Sequence, residues 1–288
     1  MSRKSRVNWH EAASLALQIE LKNYSDLLEY ITEYTLGKNY YRIDLLIIKK
    51  LTDQLIPKNI ARIFQPFNLL EIKGISSSVT INSYYKLIGY AGLLISQTGK
   101  EIPYSSLDIS LTFLSFCYPR KLIKHLKKDR KLTVAKVSPG VYYINKETFH
   151  TQIIVSKELS SEENLYLRCL ADRLQDDRLA NKLADDCGKH QDEEIYIRYL
   201  HQLTTANMKK EGELPMVCEG LLNLCGTSSE EIIARTKKEA DEYYQPKIEQ
   251  LSSQNEKLSY QNDNLSSQNS YLKSLLIQHN IPFQLETE

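Results

Sequence analysis

The sequence YRIDLLIIKK at residues 41–50 and the sequence LLEIKG at residues 69–74 decide the fold that we expect. Aliphatic and β-branched residues dominate both stretches, so each is predicted to be a buried strand. Charged residues nevertheless fall inside them, namely Asp44, Glu71 and Lys73. A buried carboxylate is costly to desolvate unless it is paired or binds a metal. These charges therefore indicate a candidate site.

Residues two apart on a strand share one face of a sheet, so Glu71 and Lys73 are expected to point the same way. If the two strands are neighbours, Asp44 joins them in one charged pocket. Two carboxylates suit Mg²⁺, with Mn²⁺ as an alternative. A bound metal ion would polarise a phosphate and acidify a water, and a lysine would offset developing negative charge. The alternative is a structural ion pair of Lys73 with Glu71 or Asp44.

The order Asp44, then Glu71-Ile72-Lys73, resembles the motif of the PD-(D/E)XK nuclease superfamily. The resemblance implies an α/β fold with a restriction-endonuclease-like αβββαβ core, and Mg²⁺-dependent hydrolysis of DNA. It implies that Asp44, Glu71 and the backbone carbonyl of Ile72 hold the metal ion, and that Lys73 assists the attacking water. Ile43 stands where the superfamily has the proline of its name. The sequence does not distinguish DNA from RNA.

Hydrophobic periodicity predicts the other core elements. We expect a helix at residues 9–23, a first strand at residues 27–35, a helix at residues 80–96 and a fourth strand at residues 107–116. The superfamily resemblance also makes Glu20, near the end of the first helix, a candidate for the metal site. An ordinary solvated or capping charge is the alternative for this residue.

The sequence KLIGY at residues 86–90 resembles the Gln-Leu-x-x-Tyr helix of RecB-like nucleases, with Lys86 in place of the glutamine. Lys86 and Tyr90 are four apart and share one helix face. They are therefore candidate nucleic-acid-binding residues, with a surface charge beside a half-buried ring as the alternative. Over roughly the first 155 residues the closer resemblance is to the Rpn-type, transposase-associated bacterial nucleases. That resemblance implies a role in mobile elements or in defence.

A basic cluster follows the fourth strand. Pro119 is expected to open a helix, and Asp129 is the only acid within residues 118–136. Such a cluster attracts a phosphate backbone, although most charge runs are solvated helix faces. The candidate phosphate contacts are Arg120, Lys121, Lys124, Lys127 and Lys128.

Leucines that recur every seven residues predict a parallel coiled coil near the end of the chain. They are Leu251, Leu258, Leu265 and Leu272. Asparagines at three a positions, Asn255, Asn262 and Asn269, would set the register of a homodimer through residues 248–276 at a cost in stability. Pro246 is expected to interrupt the preceding helix. A single exposed helix or a disordered tail is the alternative.

We therefore expect a nuclease-like domain at residues 1–157, a helical appendage at residues 158–245 and a dimerisation segment at residues 246–280. The net charge of +1 gives no nucleic-acid signal for the whole chain, so any such signal must be local. Apolar runs are too short for a signal segment or a membrane span. The five cysteines lack a tight framework, including Cys218 and Cys225. A cytoplasmic protein without a membrane partner is expected.

The leading functional hypothesis is a Mg²⁺-dependent DNA endonuclease that dimerises through the coil. The alternative is a non-catalytic protein that keeps the nuclease-like sheet as a scaffold. Such a protein would bind a partner through the helical appendage and the coil. Metal binding separates the two hypotheses, because only the first requires Asp44, Glu71 and Lys73 to converge.

Overall fold

In the described part of the chain, seven β-strands form one mixed sheet in the order β1-β2-β3-β4-β7-β6-β5. In chain order the strands are β1 (Leu28–Leu36), β2 (Tyr41–Lys49), β3 (Phe67–Ile72), β4 (Ile109–Ser115), β5 (Thr133–Ser138), β6 (Val141–Asn145) and β7 (His150–Val155). Strand β4 lies parallel to both β3 and β7, and the remaining neighbours are antiparallel. The two charged sequence stretches are thus adjacent strands.

The structure, a computed structural model, describes residues 9–36, 41–50, 54–74, 77–97, 105–170, 177–190, 192–207 and 229–279. Its helices are α1 (Trp9–Glu20), α2 (Ile81–Gln97), α3 (Arg120–Lys128), α4 (Leu165–Arg168), α5 (Asp177–Cys187), α6 (Glu194–Asn207) and α7 (Ser229–Gln278). Among the described residues, no helix combines the length and the apolar character needed to cross a membrane.

The first six elements follow the expected order of helix, three strands, helix and strand. The predicted α/β class is confirmed. Apolar residues with helical spacing form α1 and α2, and β-branched and aliphatic residues form the central strands, which are buried on both sides. The chain reaches β4 through α2, as a parallel pair of strands requires a crossover.

Helices cover both sides of the sheet, and each side has its own hydrophobic core. The side that we call the first face is covered by α1, α4, α5 and α6, with core residues such as Leu17 and Tyr199. The side that we call the second face is covered by α2 and α3, with core residues such as Leu87 and Leu122. The two faces meet at the ends of the strands.

The predicted boundary at residue 157 does not divide the packing. The chain forms two compact units, Met1–Ser229 and Glu230–Glu288. Residues of the expected appendage, such as Leu167 and Leu200, share one buried core with Leu17 of α1. The composition shift near residue 156 therefore marks the second layer of the same unit.

Helix α7 runs without a break from Ser229 to Gln278 and includes Pro246, so the interruption expected there is wrong. The heptad leucines Leu258, Leu265 and Leu272 are each more than half exposed. The side chain of Leu251 and residues Cys218 and Cys225 lie outside the part of the chain that the structure describes. Within that part, Cys117, Cys169 and Cys187 form no disulfide.

Candidate active site

A buried carboxylate between two lysines lies near the carboxyl end of β3. The Glu71 side chain is only 1% exposed, and its Oε1 lies 2.6 Å from Lys73 Nζ. Its Oε2 lies 2.6 Å from Lys86 Nζ of α2. The Lys73 N–H donates to the Leu114 carbonyl at 2.9 Å, so the backbone beside this cluster is held by β4. Two ion pairs thus offset the cost of burying the Glu71 charge.

Asp44 lies on the adjacent strand and joins this cluster through the backbone. Its Oδ2 accepts a 2.8 Å hydrogen bond from the Ile72 N–H, and its side chain is 12% exposed. Burial raises the pKa of the Asp44 carboxyl, and the charge of Glu71 raises it further, while His10, the Ile72 N–H and Lys86 oppose the rise. The two carboxylates are therefore close enough to repel each other.

Asp44 occupies the point where the side-chain alternation of β2 breaks. Leu45 packs in the first core and Ile43 in the second, although residues two apart normally share a face. The opposite residue on β1, Glu33, has a positive φ of 51°. Because of this distortion, the Asp44 side chain lies in neither core. This explains how a charged residue fits between apolar neighbours.

His10, which the sequence analysis did not select, also reaches the cluster. Its Nδ1 lies 3.6 Å from Asp44 Oδ1. It belongs to the first turn of α1, which approaches β3 closely because Gly74 has no side chain. A Cβ at Gly74 would lie 2.6 Å from Trp9 Cδ1. The sequence offered no spacing signal for this contact, because spacing along a helix does not show which of its ends meets the sheet.

Lys86 and Tyr90 are neighbours at the site. Lys86 Nζ lies 5.6 Å from the centre of the Tyr90 ring. Burial acts to lower the pKa of Lys86, but Glu71 and Asp44 outweigh it and raise the pKa overall. Lys86 is therefore held in its charged form beside Glu71.

Glu20 lies elsewhere. Its Oε2 accepts a hydrogen bond from Lys58 at 2.8 Å, and its Oε1 accepts one from the Tyr166 N–H at 2.7 Å. His10 and Glu20 are ten residues apart on α1, which corresponds to about 15 Å along a helix. Glu20 therefore caps the start of α4, and the structure does not bring it to Asp44.

The five basic candidates of α3 all lie on its exposed side. Leu122, Ile123 and Leu126 face the second core, so the charged positions between them face solvent. Tyr85 of α2 shares a 3.0 Å hydrogen bond with His125 Nε2, which joins α3 to the helix that carries Lys86. The exposed candidates are Arg120, Lys121, Lys124, Lys127 and Lys128.

Charge is distributed unequally between the two faces. Helices α2 and α3 carry six basic residues and no acid, namely Lys86 and the five candidates of α3. The helices of the first face carry acids at Glu11, Glu20, Asp177, Asp185, Asp186 and Glu194, against the bases Arg168, Arg178, Lys182 and Arg198. A polyanion would therefore be attracted to the second face.

The donor set suits a hard divalent cation in part. The carboxylates of Asp44 and Glu71 are oxygen ligands of the type that Mg²⁺ prefers, and a cation between them would relieve their repulsion. The Ile72 carbonyl and the His10 imidazole are the further donors nearby. In the described ranges, no group of three or more His, Cys, Asp or Glu side chains is arranged around a metal position. Backbone oxygen and water ligands would complete such a site.

No family profile, curated protein or solved structure matches this chain.

Proposed function

We propose that the protein is a Mg²⁺-dependent endonuclease that hydrolyses DNA phosphodiester bonds on a restriction-endonuclease-like core. The observation that carries this proposal is the convergence of two acids and two lysines, Asp44, Glu71, Lys73 and Lys86, at one end of the sheet. Their arrangement supports phosphodiester chemistry because it combines oxygen donors for a cation with ammonium groups for an anion. RNA remains an alternative substrate.

Each side chain has a distinct task in this proposal. Asp44, Glu71 and the Ile72 carbonyl would hold the metal ion, which supplies Lewis acidity and a more acidic water when bound. The Lys73 ammonium has three donors, so it can keep its contact with Glu71 while it orients a water or a phosphate oxygen. Lys86 supports the same carboxylate from α2 and adds positive charge where the phosphate would lie.

Cleavage of supercoiled plasmid and of single-stranded DNA tests the proposal. We expect the wild-type protein to cut with Mg²⁺ and to be inactive with EDTA. Asp44→Asn and Lys73→Ala should each lower the rate by at least about 100-fold, because each removes a group that acts in the transition state. Gel electrophoresis of timed samples measures the rate.

Glu162→Gln is the matched control for this assay, because Glu162 is an exposed carboxylate that pairs with Lys182 on the first face. This variant should cut at the wild-type rate. Undiminished cutting by both Asp44→Asn and Lys73→Ala would contradict the assignment of the active site.

A non-catalytic scaffold is the second candidate function, and one observation favours it. Both oxygens of Glu71 already contact ammonium groups, so this buried charge is balanced without a metal ion. Titration with Mg²⁺ or Mn²⁺ separates the candidates. Trp9 is the only tryptophan of the chain and packs against Gly74 next to Lys73. Its fluorescence, together with calorimetry, should report metal binding to a nuclease and no change for a scaffold.

We further propose that α7 forms a parallel homodimeric coiled coil through residues 248–276. The exposed leucines at heptad spacing support this, because burial of such a seam drives helix pairing. Leu258→Asp combined with Leu265→Asp should shift the mass in sedimentation equilibrium from dimer to monomer. Tyr260→Asp, a change at an exposed position off the seam, should leave the mass unchanged. A dimer that survives the double change would place the main contact elsewhere.

A further inference from the structure

An aromatic pair, formed by the exposed Tyr41 and the half-buried Tyr90, adjoins the charged cluster. The rings of Tyr41 and Tyr90 have their centres 5.9 Å apart at an interplanar angle of 53°. Tyr90 also lies under the Lys86 ammonium, which contacts Glu71. A continuous series of contacts therefore leads from the buried carboxylate, through one lysine and one ring, to Tyr41.

The Tyr41 ring is not needed to fill the core. It is 48% exposed, whereas Tyr84 on α2 is completely buried in the second core. The surface of α2 near the pair is open, because a Cβ added at Gly89 or Gly92 would meet no atom within 4 Å. A single exposed tyrosine is ordinary, but this one lies beside the candidate active site through its contact with Tyr90.

The charges around the pair favour a polyanionic ligand. Helix α2 has Lys86 as its one charged residue, and the five bases of α3 lie further along the same face of the sheet. Arg42 follows Tyr41 directly and is half exposed, although it also pairs with Glu33 at 2.9 Å. Proteins that bind single-stranded nucleic acids combine an aromatic face with flanking basic residues. The nucleobases stack on the rings, and the phosphates contact the cations.

We propose that Tyr41 and Tyr90 form a stacking platform for one unpaired nucleobase, so that the substrate is single-stranded or unpaired next to the bond to be cut. This inference rests on the proposed nuclease function. A base inside a duplex is stacked on both of its faces and presents only its edges, so only an unpaired base can lie on the ring. Because Lys86 contacts both the Tyr90 ring and Glu71, the stacked base would lie beside the phosphate held at the charged cluster.

Binding in EDTA tests the platform without requiring cleavage. A fluorescently labelled oligonucleotide is titrated as a single strand and as a duplex of the same sequence. Tyr41→Leu should weaken single-strand binding by about 5- to 100-fold, because it removes one base–aromatic stack, and should change duplex binding less than about twofold. Tyr41→Phe keeps the aromatic face and should bind like the wild type.

Tyr260→Leu serves as the matched control, since Tyr260 is an exposed tyrosine on α7, and it should alter neither affinity. An equal loss on single strand and duplex, or a loss in Tyr41→Phe as large as that in Tyr41→Leu, would overturn the platform.

The platform and the nuclease proposal can fail separately. Metal-dependent cutting that requires Asp44 but is the same in Tyr41→Leu, with unchanged single-strand affinity, would overturn the platform alone. A specific loss of single-strand binding in Tyr41→Leu, together with no cleavage under any metal condition, would support the platform and overturn the nuclease.

Discussion

Helices α1 and α2 cover opposite faces of the same sheet, yet their surroundings differ. Seven of the twelve residues of α1 are buried, because α4 and α6 pack over its outer side. In the part of the chain that the structure describes, α2 has no such second layer and leaves Tyr85, Gly89, Gly92 and Leu93 exposed. Two layers of helix cover the first face, which we call the closed face. Among the described residues, one layer of helix covers the second face, which we call the open face.

This difference shows that a net charge close to zero conceals an uneven distribution of charge between the two faces. The chain has a charge of only +1, but the helices of the closed face carry more acids than bases, whereas those of the open face carry bases alone. The candidate active site lies at the strand ends where Lys86 enters from the open face. Under the proposed function, the polyanionic substrate would lie on the open face.

The largest expected difference between the faces concerns stability. Tyr199 is fully buried on the closed face, and its hydroxyl donates to the Tyr166 carbonyl at 2.7 Å. Tyr199→Ala should lower the free energy of unfolding by about 3–5 kcal/mol. Tyr85→Ala on the open face should cost about 1 kcal/mol or less. Urea unfolding followed by the fluorescence of Trp9 measures both, and similar losses would contradict the distinction.

The second expected difference concerns nucleic-acid affinity. Lys121→Glu combined with Lys124→Glu on α3 should weaken DNA binding by roughly tenfold or more and reduce the salt dependence of log K by about 1 to 2. Fluorescence anisotropy at several salt concentrations measures this effect.

The matched control for the α3 reversal lies on the closed face. Lys182→Glu combined with Lys189→Glu makes the same change in net charge, and both lysines are in surface ion pairs. We expect little change in affinity for this control. An equal loss in the two double variants would show that total charge, and not the open face, attracts DNA.

The strands and the charged cluster could be predicted from the sequence because their signals are local. Apolar runs identified β2 and β3, and the cost of burying a charge identified Asp44 and Glu71. Neighbouring strands then brought the two acids together. Lys86 was selected through the resemblance of residues 86–90 to the Gln-Leu-x-x-Tyr helix, and the structure brings it to Glu71 because α2 packs on β3.

The contact of His10 with Asp44 and the location of Glu20 away from Asp44 could not be predicted from the sequence. Both residues belong to α1, and sequence spacing does not show which end of a helix meets the end of a sheet. That choice depends on Gly74, which admits Trp9, and on Lys58, which binds Glu20 at the other end. The boundary predicted at residue 157 rested on a change in composition, which does not report that Leu167 and Leu200 pack in one core with Leu17.

The smallest expected effect concerns Glu20 on the closed face, whose contribution to the free energy of unfolding depends on pH. Burial raises the pKa of Glu20, while Lys58 and the backbone N–H groups of Tyr166 and Leu167 oppose the rise. The folded state therefore binds this proton more tightly than the unfolded state. The contribution of Glu20 to stability is thus fully present below the ordinary carboxyl pKa and is lost as the pH rises through the raised, folded-state pKa.

Glu20→Gln cannot titrate, so the free energy of unfolding of the wild type relative to this variant should fall as the pH rises. Glu162→Gln provides a control of opposite sign. A hydrogen bond from Ser160, together with Lys182, lowers the pKa of Glu162 to about 2, so its stabilising contribution is lost as the pH falls. Urea unfolding between pH 2 and pH 8 measures both differences, because the contribution of Glu162 is lost mainly as the pH falls from the ordinary carboxyl pKa to about 2. If the wild type instead gained stability over Glu20→Gln as the pH rose, the contacts of the Glu20 carboxylate with Lys58 and the backbone N–H groups would outweigh the cost of its burial. The ionised Glu20 would then stabilise the closed face.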